Sequence, residues 1–305
     1  MRLVADVGGT NARLALCENG VVENETVQRF TNADWPNLDA VLVAFCDAHR
    51  GVPLDDMVIA VAGPVSGGRA TLTNRNWTID ACSLAERFDC KGLVLLNDLA
   101  ALGYAVPVIG ADQVRQVCGG DASTTPTGSA LVVGIGTGFN ISQVMTTSHG
   151  TVCPPAEAGH VSMPRSISKQ LAFLNCDPDQ FPTVESLFSG RGLSTFCQQH
   201  TGQVTLSGQA AIDAYGKAFE EQATEAIDDY SSMLGSLLRE LSLSYAPTLG
   251  TYLAGSVGRA VAKAAPVRLE NTLGEPCEFR STNPPLVYTI EDDGAALLGC
   301  AQYNG

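Results

Sequence analysis

Two stretches decide the fold: LVADVGGTNARLALC at residues 3–17 and LVVGIGTGFNISQV at residues 131–144. In each, an apolar strand enters a turn rich in glycine and threonine, and a second strand leaves it. Aligned, Gly8 falls on Gly136, Gly9 on Thr137 and Thr10 on Gly138. The pattern reads as a β-hairpin whose tight turn takes glycine at positive φ. Two such hairpins in one chain predict a duplicated α/β unit.

Working outward, an amphipathic helix is expected over Asn37–Arg50 and a strand over Met57–Val65. A short helix follows at Ala81–Phe88, then a buried strand, GLVLLND, at Gly92–Asp98. Apolar runs of this length, bounded by Gly, Pro or Asp, suit strands covered on both faces. Residues 209–245 have helical composition, and Gly216 and Gly235 predict more than one helix there. GTYLAGSV at Gly250–Val257 reads as another strand. Gly258-Arg259 then opens the last helix but one, and Asp293–Ala301 is the closing helix. Strands alternating with helices give an α/β protein.

The 305 residues are too many for one compact core and predict two domains. With 45% hydrophobic and 16% charged residues the chain is globular. A net charge of -14 repels phosphate backbones and argues against nucleic acid as a partner. None of the ten cysteines shows C-x-x-C spacing, so they read as free thiols of a reducing, cytoplasmic setting. The N-terminal apolar run is cut by Asp6, as a signal peptide's would not be, and the stretch at 99–111 is too short and too broken to span a membrane.

Four clusters carry chemistry. In Asp6–Asn11 the small residues Gly8, Gly9, Thr10 and Asn11 let backbone N–H groups approach phosphate oxygens, and Asp6 is placed to hold Mg²⁺ through water. Gly136, Thr137 and Gly138 offer a second clamp. Asn97 and Asp98 end an apolar strand where α/β sheets present groups to a cleft. Asp98 before Leu-Ala-Ala-Leu also reads as a helix N-cap, which stabilises its ion, and an ionised Asp accepts a hydroxyl proton. Glu157 and His160 in P-A-E-A-G-H, with Glu185 further on, suit vicinal hydroxyls that both donate and accept. Glu-x-x-His is also a metal motif, but Pro154, Pro155 and Gly159 argue against the long helix it needs. Gly255 and Ser256, where a strand meets a helix, suit the base and ribose of a nucleotide.

In this order, D-V-G-G-T-N-A-R-L-A-L, A-G-P-V, L-T-N-R-N-W, L-L-N-D, G-I-G-T-G, E-A-G-H-V, S-G-R-G-L and A-G-S resemble the bacterial glucokinases of the sugar kinase/actin/Hsp70 superfamily. The resemblance implies an α/β, two-domain actin-like ATPase (ribonuclease H-like) fold with an interdomain active-site cleft. It implies a small domain over 1–105, with a C-terminal helix at about 290–305 packing back on it, and a large domain over 106–289. The implied activity is ATP-dependent phosphorylation of the C6 hydroxyl of glucose, with Mg²⁺ and no structural zinc, in a cytoplasmic homodimer. Asp98 matches the catalytic base, and Asn97, Glu157, His160 and Glu185 match sugar ligands. Asn74 lies near the cleft in relatives. Asp6, the two turns, Gly255 and Ser256 match the nucleotide site. Two departures stand out: Asn140 where relatives carry glycine after G-T-G-L, and Ser256 where they often carry a second glycine. Other readings are a kinase for mannose, fructose or an N-acetyl hexosamine, and a non-catalytic sugar sensor.

Overall fold

The computed structural model describes residues 1–72, 75–120, 127–276 and 285–304, so Asn74 lies outside the described residues. The chain forms two compact units, Met1–Ile109 with His149–Cys153 and Asp292–Gly305, and Gly110–Ser148 with Pro154–Glu291.

The first unit is built on strands β1 (Arg2–Val7), β2 (Asn11–Glu18), β3 (Asp56–Val61) and β4 (Leu93–Asn97). β1 and β2 form an antiparallel hairpin, whereas β1, β3 and β4 run parallel in that order across the sheet. Alternation along β1 sends Leu3, Ala5 and Val7 to one face and Val4 to the other. The first face is covered by helix α1 (Leu38–Ala48), through Leu42 and Phe45, and by Trp77. Asn37 caps α1 by accepting the Ala40 N–H. A short helix, α2, spans Ala81–Arg87. The second face carries helix α3 (Asp98–Ala105) and the C-terminal helix Ala295–Gln302, which meet Val4, Val58 and Ala60 through Ala101, Leu297 and Cys300. These two helices cross at Gly299, where a Cβ would overlap the Ala101 carbonyl. That contact sets the seat of α3.

The second unit repeats the pattern. Strand β5 is Val114–Cys118, β6 is Gly128–Ile135 and β7 is Phe139–Thr147. β6 and β7 form an antiparallel hairpin, and β6 runs parallel to β8 (Thr251–Ala254), which runs parallel to β9 (Val287–Ile290). One hairpin followed by two parallel strands is thus the shared plan of both units. β5 lies antiparallel on β9. Helices pack on this sheet around the fully buried Tyr230, whose hydroxyl donates to the Leu187 carbonyl at 3.1 Å.

Several expected bounds shift. The strand expected over Met57–Val65 ends at Val61, before Gly63 and Pro64. Gly216, at φ +73°, separates helices Gly208–Ala214 and Glu221–Tyr245. Gly235, however, lies inside the second of these without breaking it. A Cβ there would stand 2.7 Å from the Leu269 carbonyl, so glycine serves close helix packing. The run at 250–257 ends as a strand at Ala254, and a helix starts at Ser256 rather than Gly258. It is not the last but one, because Pro266 opens a further helix through Leu273. Among the described cysteines, Cys118 and Cys197 are pushed up to about 12 by burial, which keeps them as packed thiols. No helix among the described residues is long and apolar enough to cross a membrane.

Gly299→Ala must push α3 from its seat. It is expected to cost about 1–3 kcal/mol in urea unfolding, as overpacking does. Gly92→Ala, with open space around it, should leave the midpoint unchanged. Equal midpoints for the two variants would contradict the packing account.

Candidate active site

In the first unit the register aligns Val7 with Val61 and Val61 with Asn97, so three parallel strands end at one level. Beyond that level lie the turn after β1, the Ala62-Gly63 bend and the first turn of α3. The Ala62 N–H donates to the Val7 carbonyl at 3.0 Å, and Asn97 Nδ2 donates to the Gly63 carbonyl at 3.2 Å. The carboxyl edge of a parallel sheet therefore gathers residues far apart in the chain.

The first turn, Gly8–Asn11, is anchored by its carbonyls. Asn32 Nδ2 donates to the Gly8 oxygen at 2.8 Å, Arg75 Nε to the Gly9 oxygen at 3.0 Å, and the Asn32 N–H to the Thr10 oxygen at 2.8 Å. Trans peptides set each N–H opposite the preceding carbonyl. The amides of Gly9, Thr10 and Asn11 consequently face away from these anchors, a geometry that presents donors to an anion. Asn32 is fully buried, and neither it nor Arg75 stood out in the sequence. Gly8 is not in the left-handed region, which corrects the expectation of positive φ.

Asp6 and Asp98 stand at this edge. The N-cap of α3 is Asn97, whose Oδ1 accepts the Leu99 N–H at 3.1 Å; Asp98, expected as the cap, is the first helical residue. Asp98 Oδ1 also accepts the Leu99 N–H, at 2.9 Å. Burial raises the Asp98 pKa, against the lowering effect of these hydrogen bonds. The capping hydrogen bond therefore does not dominate, and the carboxylate is more basic than an ordinary Asp. The pKa of Asp6 is pushed up to about 6, by burial first and then by the charge of Asp98. Arg13 opposes this from 3.8 Å and is itself held by Asp293 at 3.2 Å.

In the second unit, the turn at Gly136–Gly138 is one residue shorter, because Ile135 pairs with Phe139 while Val7 pairs with Ala12. Gly136 and Gly138 also avoid positive φ. The Gly136 N–H donates to the Gly138 carbonyl at 2.9 Å, and the Gly190 N–H to the Gly136 carbonyl at 2.8 Å. Glu185 Oε2 accepts the Phe139 N–H at 3.0 Å. A Cβ on Gly138 would come within 2.6 Å of that oxygen, and Gly159 packs on the Glu185 side chain. One oxygen of Glu185 is therefore committed to the turn. Gly255, at φ +82°, rests on the Ile135 carbonyl where no side chain fits, and Ser256 starts the helix behind it. Thr137 is exposed.

Glu157 and His160 bracket a single 3-10 turn, Ala158–His160, and both are exposed. The proline-rich approach and this turn exclude the long helix of a Glu-x-x-His metal site. Among the described residues no three His, Cys, Asp or Glu side chains cluster to hold a metal ion. Asn140 contacts Ala156, Glu157 and Ala158, a role the sequence did not disclose.

A family model described as Glucokinase matches residues 3–303. The glucokinase of Marinobacter nauticus is 29% identical over 322 residues, spanning 99% of this chain and 97% of its own length. Among solved structures, a glucokinase from an Antarctic psychrotroph superposes with a TM-score of 0.82 at 24% identity, covering 99% of this chain and 97% of that one. A ROK family glucokinase from Streptomyces griseus, in complex with glucose and AMPPNP, superposes with a TM-score of 0.63 at 18% identity, covering 98% and 97%. These two structures share the actin-like fold.

The raised pKa of Asp6 has a sign that can be measured. The folded state holds this proton up to about pH 6, whereas an unfolded Asp releases it near pH ~3.9. Stability from this group is present below pH ~4 and lost as pH rises through about 6. Asp6→Asn should therefore be more stable than wild type by about 2–3 kcal/mol at pH 7.5 and equal to it near pH ~4. Urea melts at both pH values check this, and a difference independent of pH would contradict it.

Proposed function

The chain belongs to the glucokinase family, whose members are ATP-dependent sugar kinases, and from that membership we propose that Asp98 is the base in phosphorylation of the glucose C6 hydroxyl. The observation that carries the residue assignment lies at the carboxyl edge of the first unit. There Asp98, made more basic by burial, shares an edge with a turn whose carbonyls are tied back by Asn32 and Arg75. A base that is stronger than ordinary aspartate and a set of outward amides are what phosphoryl transfer to an alcohol requires.

In this reading the amides of Gly9, Thr10 and Asn11, with the hydroxyl of Thr10, bind phosphate oxygens of ATP. Gly136, Thr137 and Gly138 form the second phosphate turn, and Gly255 with Ser256 receives the nucleoside. Asn97 orients a sugar hydroxyl beside Asp98, and Glu157, His160 and Glu185 hold hydroxyls of the same sugar. The family resemblance assigns Asn74 to the sugar side as well. Asp98 Oδ accepts the proton of the C6 hydroxyl as its oxygen attacks the terminal phosphorus, and the bond from that phosphorus to the β–γ bridging oxygen breaks so that ADP leaves with the bridging oxygen. The Streptomyces griseus relative, in complex with glucose and AMPPNP, supports glucose and ATP as the pair.

Magnesium fits the same edge. Asp6 is a hard oxygen donor whose charge is disfavoured by burial and by Asp98, and 22% of its side chain is still accessible. A hydrated Mg²⁺ held there would offset both charges, and when bound it neutralises charge on the phosphates.

Asp98→Asn should retain sugar binding and lose about 10²–10⁴-fold in kcat. Coupled ADP detection with Mg-ATP and glucose, beside mannose, fructose and N-acetylglucosamine, tests activity and sugar choice together. Glucose should be the preferred acceptor. A near-normal kcat for Asp98→Asn would remove Asp98 from the reaction, and preference for another hexose would overturn the substrate assignment.

A further inference from the structure

Asn140 follows the second turn, at the start of β7, and three of its four side-chain hydrogen bonds reach one segment. Its Nδ2 donates to the Ala156 carbonyl at 2.7 Å and to Glu157 Oε2 at 3.4 Å. Its Oδ1 accepts from the Ala158 N–H at 3.0 Å and from the Ile141 N–H at 2.8 Å. A primary amide carries two donor hydrogens and two acceptor lone pairs, and here all four find partners.

The contacts reach the residue before Glu157, the residue after it and the carboxylate itself. The 3-10 turn that follows Glu157 has no side-chain cap of its own, and Glu157 is exposed. An exposed glutamate otherwise samples several rotamers, and ordering it costs entropy. A bound amide on both flanking peptides and on the carboxylate removes much of that cost in advance. The neighbouring residue, Phe139, binds Glu185 through its N–H. Residues 139 and 140 thus hold both acids from one strand end.

We propose that Asn140 is a positioning residue that sets the glucose affinity by orienting the Glu157 carboxylate; this rests on the sugar-binding role proposed for Glu157. The amide is suited to the task because it donates to a carboxylate and accepts from a peptide at once. Neither alanine nor aspartate does both.

The test uses the full chain. Wild-type turnover of glucose with Mg-ATP is measured first, so failure of the glucokinase reading shows in the parent and failure of the Asn140 assignment shows only in variants. Asn140→Ala is expected to raise the glucose KM about tenfold, the worth of one charge-assisted hydrogen bond, with the ATP KM and kcat within about twofold. Asn140→Asp is nearly isosteric and keeps the Oδ1 acceptor while losing both donors, so it carries the test should the alanine variant fold poorly. It should raise the glucose KM at least as much. In a Glu157→Gln background Asn140→Ala should add much less than its own effect. A glucose KM within twofold of wild type in Asn140→Asp, an equal rise in the ATP KM, or full multiplication of the Asn140→Ala and Glu157→Gln effects would overturn the proposal.

Discussion

The carbonyls of Gly8, Gly9 and Thr10 are bound from behind, and the site in the first unit depends on that constraint. A glycine-rich turn left to itself samples many peptide orientations, and ordering it against phosphate would cost entropy at each binding event. Asn32 and Arg75 meet that cost during folding. Arg75 also brings a positive charge, stacked over Trp77 at 5.4 Å, to a chain whose net charge is -14. A local field of this kind lets an acidic protein accept a polyanion.

The same edge explains why the carboxylates differ from those of the surface. Asp6 and Asp98 are half-buried at the end of the sheet, and α3, which carries Asp98, is seated where Gly299 of the C-terminal helix meets Ala101. Burial raises both pKa values, and the proximity of the pair raises that of Asp6 further. Folding therefore gathers unfavourable charge at this edge, where in the proposed reaction a metal-nucleotide and a hydroxyl proton would offset it. Stability is given up at the edge proposed to do the chemistry.

Much of this was legible in the residues. The hairpins were, because an apolar strand broken by glycine and threonine has few other solutions, and Asn97-Asp98 was, because polar residues ending a buried run mark a strand edge. The glycines differ from expectation: Gly8, Gly136 and Gly138 do not take positive φ, and of the three only Gly138 has a neighbour, Glu185 Oε2, too close for a side chain. Gly235 misled for the same reason, since its value lies in a helix packed against it. Asn140 stands out in the sequence only as a departure from the family's glycine, and the parts that Asn32, Arg75 and Asn140 play emerge only when folding brings each to the segment it acts on. The cap of α3 moved by one residue to Asn97, a shift too fine for residue preference alone to resolve, since Asn and Asp cap equally well.

In the proposed reaction Asp98 receives the proton of the hydroxyl that attacks a phosphate held by the Gly8–Asn11 turn. A crystal structure of the enzyme with glucose and a non-hydrolysable ATP analogue tests it most directly. The account predicts an Asp98 oxygen at about 2.6–3.2 Å from the C6 hydroxyl, with the turn amides on the phosphates. A C6 hydroxyl bonded elsewhere, with Asp98 out of hydrogen-bond reach in the closed complex, would contradict it.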